Sequence, residues 1–248
     1  MEAAQIIRNA VDRVSHLRRV HAADPDLATA VTAVKAFQAR RFAGTYADLL
    51  EGGSYQDAAR FFLEELYSDK DYADRDSQFA RIAGALQTLF PQQVVATAVS
   101  LAQLHVLTED LDHAMALAWL EIGKRPAASD ARRYVAAWRF VGQRVERDRQ
   151  LQVVQEIGLE LARLTRLPGL RLMLRMMRKP AQAAGLASLQ GFLESGFDTF
   201  AGISRQRRGV DVFLSIVEER ESALIDLLFE GEPVACETEL AKCLGQAR

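Results

Sequence analysis

The sequence has little of the chemistry that builds disulfide or zinc scaffolds. Its two cysteines, Cys236 and Cys243, are seven residues apart in a chain of 248 residues. On a helix this spacing separates their Cα atoms by about 10 Å, whereas a disulfide requires Cα atoms within about 7 Å. We therefore expect two reduced thiols. No CxxC pair occurs, which argues against a structural zinc site.

The sequence also has no large excess of charge of either sign. It contains 31 basic and 33 acidic side chains, for a net charge of −2. Binding to nucleic acid without sequence preference needs a basic field that releases counterions, so we expect no nucleic-acid partner. The hydrophobic share of 49% excludes a disordered chain and is enough for a sizeable core.

Segments typical of export or membrane insertion are not found either. The N-terminus carries Glu2 and has no apolar signal core, which predicts a cytoplasmic protein. The longest stretch without Asp, Glu, Lys or Arg covers residues 82–108, but Pro91 and four glutamines interrupt it. We predict instead a buried helix over about residues 91–107.

Helix-breaking residues are scarce, with six prolines and fifteen glycines. Strong helix formers dominate, apolar residues recur at three- and four-residue steps, and no alternating strand pattern is found. The pattern predicts an all-α fold, a single domain over residues 1–248 with about nine or ten helices around the buried helix at 91–107. The only candidate subdivision is near residues 124–128, which lack the length and composition of a linker.

Four parts of the sequence share a family pattern, and they are residues 58–67 (AARFFLEELY), 75–82 (RDSQFARI), 101–105 (LAQLH) with Leu111 and Asp112, and 191–194 (GFLE) with Gly196, Phe197 and Phe200. These runs resemble a family of bacterial all-helical proteins of unknown function. The resemblance implies a cytoplasmic helical protein and supplies no activity and no catalytic residue.

One histidine and two carboxylates share a face of a predicted helix. His105, Glu109 and Asp112 fall at i, i+4 and i+7, within an arc of about 60°. An imidazole and two carboxylates have the chemistry to hold a ligand or a proton. The sequence lacks the Glu-x-x-His pair on two helices that a di-iron site needs, so we predict no metal site. The simpler interpretation is a hydrogen-bonded histidine at the edge of the core.

A pocket beside an aromatic helix is the alternative role for His105. The aromatic helix contains Phe61, Phe62 and Tyr67. Phe61 and Phe62, the predicted helix over residues 79–89, and His105 occur in an order that resembles, in a generic way, the early aromatic residues, distal helix and proximal histidine of a globin. A histidine is a normal axial ligand of haem iron. Haem is therefore the one cofactor considered, and the sequence otherwise predicts none.

A basic segment provides a second candidate surface. No acidic residue occurs between positions 161 and 193. Within it, one predicted helical face is apolar and the other basic, as in helices that bind a membrane surface or an anionic partner. The alternative is a core-packed helix whose basic side faces water. The basic candidates are Arg171, Arg175, Arg178 and Lys179, and the apolar face is Leu170, Met173, Leu174 and Met177.

Motifs of the common nucleotide-binding and hydrolytic enzymes are not found. The sequence therefore favours a non-enzymatic protein that acts through protein–protein contact, as an interaction or regulatory module. A domain that binds a small molecule or haem is the second hypothesis, and attachment to a membrane surface or anionic partner through residues 170–179 is the third. The sequence does not predict an oligomeric state.

Overall fold

The computed structural model describes residues 2–65, 72–123 and 129–247, and within these ranges every regular element is a helix. The predicted all-α fold is confirmed for this part of the chain. Its thirteen helices are α1 (Ala3–Ala23), α2 (Pro25–Thr45), α3 (Ala47–Leu50), α4 (Gln56–Glu65), α5 (Ala73–Leu89), α6 (Gln92–Gly123), α7 (Asp130–Val141), α8 (Arg144–Leu164), α9 (Leu170–Met176), α10 (Arg178–Ala183), α11 (Ala187–Ser204), α12 (Gly209–Glu230) and α13 (Pro233–Gln246).

Local sequence determines several helix ends. The Asp24 carboxylate accepts hydrogen bonds from two backbone N–H groups at the start of α2, and Pro25 occupies the first helical position. Proline suits that position because its missing N–H would have had no partner inside the helix. Ser129 caps α7 in the same way, with its Oγ atom accepting from the Arg132 N–H at 3.2 Å.

The predicted number of nine or ten helices is not confirmed, since thirteen are found among the described residues. The difference comes from short helices, α3, α9 and α10, whose boundaries have weak sequence signals. Tyr46 separates α2 from α3, and Met177 separates α9 from α10. Neither is a glycine or a proline, so a search for helix-breaking residues misses both.

The predicted buried helix at 91–107 is the first half of α6, which continues to Gly123. Val95, Ala98 and Ala102 are buried, whereas Ala96 and Gln103 are exposed. The segment is therefore not buried on every side. The absence of charged residues predicted complete burial, but small and uncharged side chains are also compatible with water.

One compact unit of the chain comprises residues 1–15, 70–106 and 153–215. One of its apolar clusters joins α1, α5 and the first half of α6, and another joins α8, α9 and α11. The start of α11 has no cap of its own, and the Gln78 side chain of α5 accepts the Leu189 N–H at 2.9 Å. The buried members of the clusters are Ala4, Ile7, Ala10, Ala83, Leu86, Val95, Ala98 and Ala102, and then Leu164, Leu170, Leu174 and Phe197.

The other compact unit comprises residues 16–69, 107–152 and 216–248. Its apolar core is formed by α2, α7, α12, α13 and the second half of α6. Aromatic rings occupy the middle of this core, where Phe37 stacks on Tyr134 with ring centroids 4.3 Å apart. Burial of such large rings supplies much of the stabilising apolar area.

A close approach of α2 to α13 depends on Gly44. A Cβ atom built on Gly44 would lie 1.7 Å from the backbone oxygen of Cys243. Only glycine allows two helix backbones to approach this closely, so Gly44 permits the packing of α13 along α2.

None of the described helices combines the length and apolar content that crossing a membrane requires. Residues 124–128, the candidate subdivision, lie outside the described part of the chain. The prediction of a single domain therefore stays a prediction.

Candidate functional site

His105 lies on α6 and contacts a carboxylate of α5. Its Nε2 atom is 2.9 Å from Oδ2 of Asp76, which is almost completely buried. This contact fits the interpretation of His105 as a hydrogen-bonded histidine at the edge of the core. A haem iron bound to Nε2 would have to displace it.

Glu109 and Asp112 contact a different helix, α2. Lys35 Nζ donates to Glu109 Oε1 at 2.6 Å, and Gln38 Nε2 donates to Asp112 Oδ1 at 3.0 Å. His105 therefore pairs with α5 while the two carboxylates pair with α2. All three residues lie on α6, but the histidine and the two carboxylates have hydrogen-bond partners on different helices.

The pKa of Asp112 is raised above its ordinary value, chiefly because burial disfavours the charged carboxylate. The charge of Glu109 raises it further, while Lys35, Arg147 and the hydrogen bond from Gln38 lower it. A carboxyl group with a raised pKa in the folded state binds its proton more tightly there than in the unfolded chain. Its ionisation therefore opposes folding as the pH rises above the unfolded value.

We expect Asp112→Asn to be at least as stable as the wild type at about pH 7.5, because asparagine keeps the acceptor for Gln38 without the cost of ionisation. The difference should shrink as the pH falls through the raised pKa of folded Asp112 toward the unfolded value of about 3.9, because the folded carboxyl group is then protonated. Urea unfolding at a series of pH values measures this. The exposed replacement Asp57→Asn is the control. A less stable Asp112→Asn variant at pH 7.5 would instead show that the position is ionised and paired in the folded protein.

The polar partners on α2 were not identified by the sequence analysis. Lys35, Gln38 and Arg41 recur every three residues beside the apolar positions Val34 and Phe37. Polar residues at this spacing are expected to face water, yet Arg41 is only 7% exposed and bonds to Glu221 at 2.6 Å. The sequence signal that could have indicated their burial is the position of these polar residues next to the apolar stripe of α2.

The aromatic candidates are part of the packing of α4. Phe61 and Phe62 are both buried, and their rings meet edge to face with centroids 6.4 Å apart. Tyr67 lies outside the described residues. The role of these three residues in ligand binding stays a prediction.

The basic segment folds as α9 and α10, with Met177 between them at right-handed helical angles. Leu170 and Leu174 are buried, and Met173 packs against the same apolar cluster. Most of the apolar face predicted from sequence therefore belongs to the core.

Two of the basic candidates are paired with carboxylates of α11. Arg178 donates through Nε to both oxygens of Glu194 at 2.7 Å, and Arg171 Nη2 lies 2.9 Å from Asp198. The hydrogen bonds with Arg178 lower the pKa of Glu194. Both arginines are exposed, so these pairs orient the side chains more than they stabilise the fold.

Four other residues form what we call the α9 outer face: Leu172, Arg175, Met176 and Lys179. Leu172, Arg175 and Met176 lie on α9 within an arc of about 100°, opposite the buried leucines, and Lys179 follows at the start of α10. Leu172 is 63% exposed and Met176 69% exposed. Among the described residues, no carboxylate lies within ion-pair distance of Arg175 or Lys179.

A shallow cleft lies beside this face, between α9 and α11. Its open volume is about 190 Å³, which includes the part open to solvent. Basic and acidic groups alternate around an apolar floor. The lining residues are Arg171, Leu174, Arg175, Arg178, Glu194, Phe197 and Asp198.

Within the described ranges, no group of three or more His, Cys, Asp or Glu side chains is arranged to hold a metal ion. The two cysteines are buried free thiols on α13. Cys236 donates to the backbone oxygen of Leu227 and thus connects α13 to α12.

Comparison with known proteins gives the family but no activity. No curated protein and no solved structure matches the chain. A family model matches residues 17–235, which is most of the chain, and the sequence resemblance to a family without known function is confirmed. The chain belongs to the family described as Domain of unknown function (DUF8198).

Proposed function

We propose that this protein is a non-enzymatic interaction module that binds an acidic segment of a partner protein through the α9 outer face. The observation that carries the proposal is the exposure of Leu172 and Met176, one turn apart, beside the basic side chains of Arg175 and Lys179. Single exposed apolar side chains are normal on a protein surface, whereas adjacent ones next to polar groups are typical of an interaction site. Methionine adds an adaptable contact surface.

The charges of this face favour an anionic partner. Arg171 and Arg178 form ion pairs with Asp198 and Glu194, whereas Arg175 and Lys179 form none with the described residues. Arg175 lies near the end of α9 and Lys179 near the start of α10, four positions later, so a partner segment with two neighbouring carboxylates can pair with both. Complementary charge of this kind increases the association rate and the specificity.

A protein partner fits this face better than a lipid bilayer. Membrane affinity of a surface helix scales with the apolar area that it inserts. Leu170, Met173 and Leu174 are used in the core, and two strongly exposed apolar side chains stay on the α9 outer face. This is a small area for insertion but a normal size for the anchor residues of a protein interface.

Photo-crosslinking tests the proposal. A benzophenone side chain placed at position 176 should capture a protein from an extract of the source cells, and mass spectrometry then identifies it. The purified partner should bind Leu172→Ser/Met176→Ser at least about tenfold more weakly than the wild type, because each lost anchor costs on the order of 1 kcal/mol or more.

A matched control comes from the corner between α7 and α8. Phe140 and Val145 are as exposed as Leu172 and Met176, at 70% and 75%. The variant Phe140→Ser/Val145→Ser should keep wild-type affinity. If both variants lost the same affinity, the effect would be a non-specific contribution of exposed apolar side chains and not a property of the α9 outer face. Suppose instead that the protein binds anionic but not neutral phospholipid vesicles, and that Arg175→Glu/Lys179→Glu abolishes this binding. The ligand of the α9 outer face would then be a membrane surface and not a protein.

A further inference from the structure

Two histidines form a part-buried pair between α1 and α6. His21 Nε2 lies 3.0 Å from His113 Nδ1, and the rings stack with centroids 5.2 Å apart and planes 27° from parallel. His21, in the last turn of α1, is only 8% exposed. The two residues are 92 positions apart, so their contact connects distant parts of the chain.

The contact depends on how many protons the pair carries. Two neutral imidazoles can form this hydrogen bond, because one of the facing nitrogens carries a hydrogen and donates while the other accepts. A first added proton can stay on the outward nitrogens and keep the bond. When both rings are protonated, both facing nitrogens carry hydrogen, no acceptor is left, and two positive charges are in contact.

The surroundings of His21 disfavour added positive charge. The charged groups that act on it are Arg18 of α1, Lys35 of α2 and Glu109 of α6. Burial lowers the pKa of His21 most, followed by the neighbouring His113, and the two cations act in the same direction. Glu109 opposes them, but its carboxylate is engaged by Lys35 at 2.6 Å.

We propose that the His21–His113 pair is a proton-sensitive latch that holds the last turns of α1 against α6 at neutral pH and releases them in mildly acidic solution. Released histidines take up protons with an ordinary pKa near 6.5. Between pH 6.5 and 5.5 the opening equilibrium should shift about fivefold if one imidazole is neutral when closed, and about thirtyfold if both are. The latch acts independently of the α9 outer face.

Hydrogen exchange of the full-length protein tests the latch. After correction for the intrinsic effect of pH, the amides of residues 16–23 should lose protection about five- to thirtyfold between pH 6.5 and 5.5. His21→Phe/His113→Phe keeps two stacked rings without titratable groups, so its protection should not change with pH. His16→Gln removes an exposed histidine from the same helix and should behave as the wild type.

A second measurement needs no variant. In the wild type, ring nitrogen NMR signals should show His21 taking up its proton at a pH below the ordinary histidine pKa near 6.5. Titration of His21 at or above the ordinary histidine pKa would overturn the proposal. So would a loss of protection in the double phenylalanine variant equal to that of the wild type.

Discussion

Gly44→Ala should lower the free energy of unfolding by at least about 3 kcal/mol, because a new methyl group collides with a helix backbone. The added Cβ would lie 1.7 Å from the Cys243 oxygen and 2.5 Å from its carbonyl carbon. A flexible side chain could move away, but here α2 and α13 themselves must separate. Their separation opens the core around Val34 and Leu240. Urea denaturation followed by circular dichroism measures the loss.

Gly191→Ala is the matched control for this substitution. Gly191 is inside α11, and a Cβ atom there meets nothing within 4 Å. Alanine has the better helix propensity, so this variant should be unchanged or up to about 1 kcal/mol more stable. A Gly44→Ala variant as stable as Gly191→Ala would contradict the close packing of α13 on α2.

Glu221→Ala should cost about 3–5 kcal/mol, since it removes the carboxylate that compensates a buried guanidinium. Glu221 Oε1 accepts from Arg41 Nη1 at 2.6 Å and from the Tyr46 hydroxyl at 3.0 Å. Both charged partners are less than 10% exposed. Solvent therefore cannot replace the lost partner. The same denaturation measurement gives the loss.

A double variant distinguishes the effect of losing the ion pair from the effect of leaving one buried charge without a partner. Arg41→Met/Glu221→Met removes both charges and should recover at least half of the stability lost in Glu221→Ala. Arg163→Ala breaks the exposed pair with Glu160 and should change stability little. A double variant less stable than Glu221→Ala would show that the ion pair itself stabilises the core more than apolar packing does.

The fold class and several helix ends follow from sequence because they depend on neighbouring residues. Capping by Ser129 and the start of α2 at Pro25 depend on side chains within three positions. The burial of Leu170 and Leu174 follows from their spacing in the same way. Local rules of this kind determine where helices begin and which face is apolar.

The buried polar residues could not be predicted by the same rules. Sequence periodicity assigns lysine, glutamine and arginine to the solvent side. Arg41 is buried because Glu221, 180 residues later in the chain, neutralises its charge. The pairing of Arg171 with Asp198 of α11 is also a tertiary contact. A single sequence contains no local signal for either.

The two compact units were also not evident from sequence. Each consists of three separate chain segments, and the unit boundaries fall inside α1, α6, α8 and α12. A search for linkers looks for breaks between helices, so it misses boundaries of this kind.

The affinity of the crosslinked partner for wild type and for Arg175→Glu/Lys179→Glu is the most direct test of the α9 outer face as a binding site. We expect at least about tenfold weaker binding by the charge-reversed variant at low salt, and a smaller difference at about 0.5 M salt, where exposed charges are screened. The wild-type affinity itself should fall with salt. Equal affinity of the two proteins at low salt, with both folded, would contradict the proposed function.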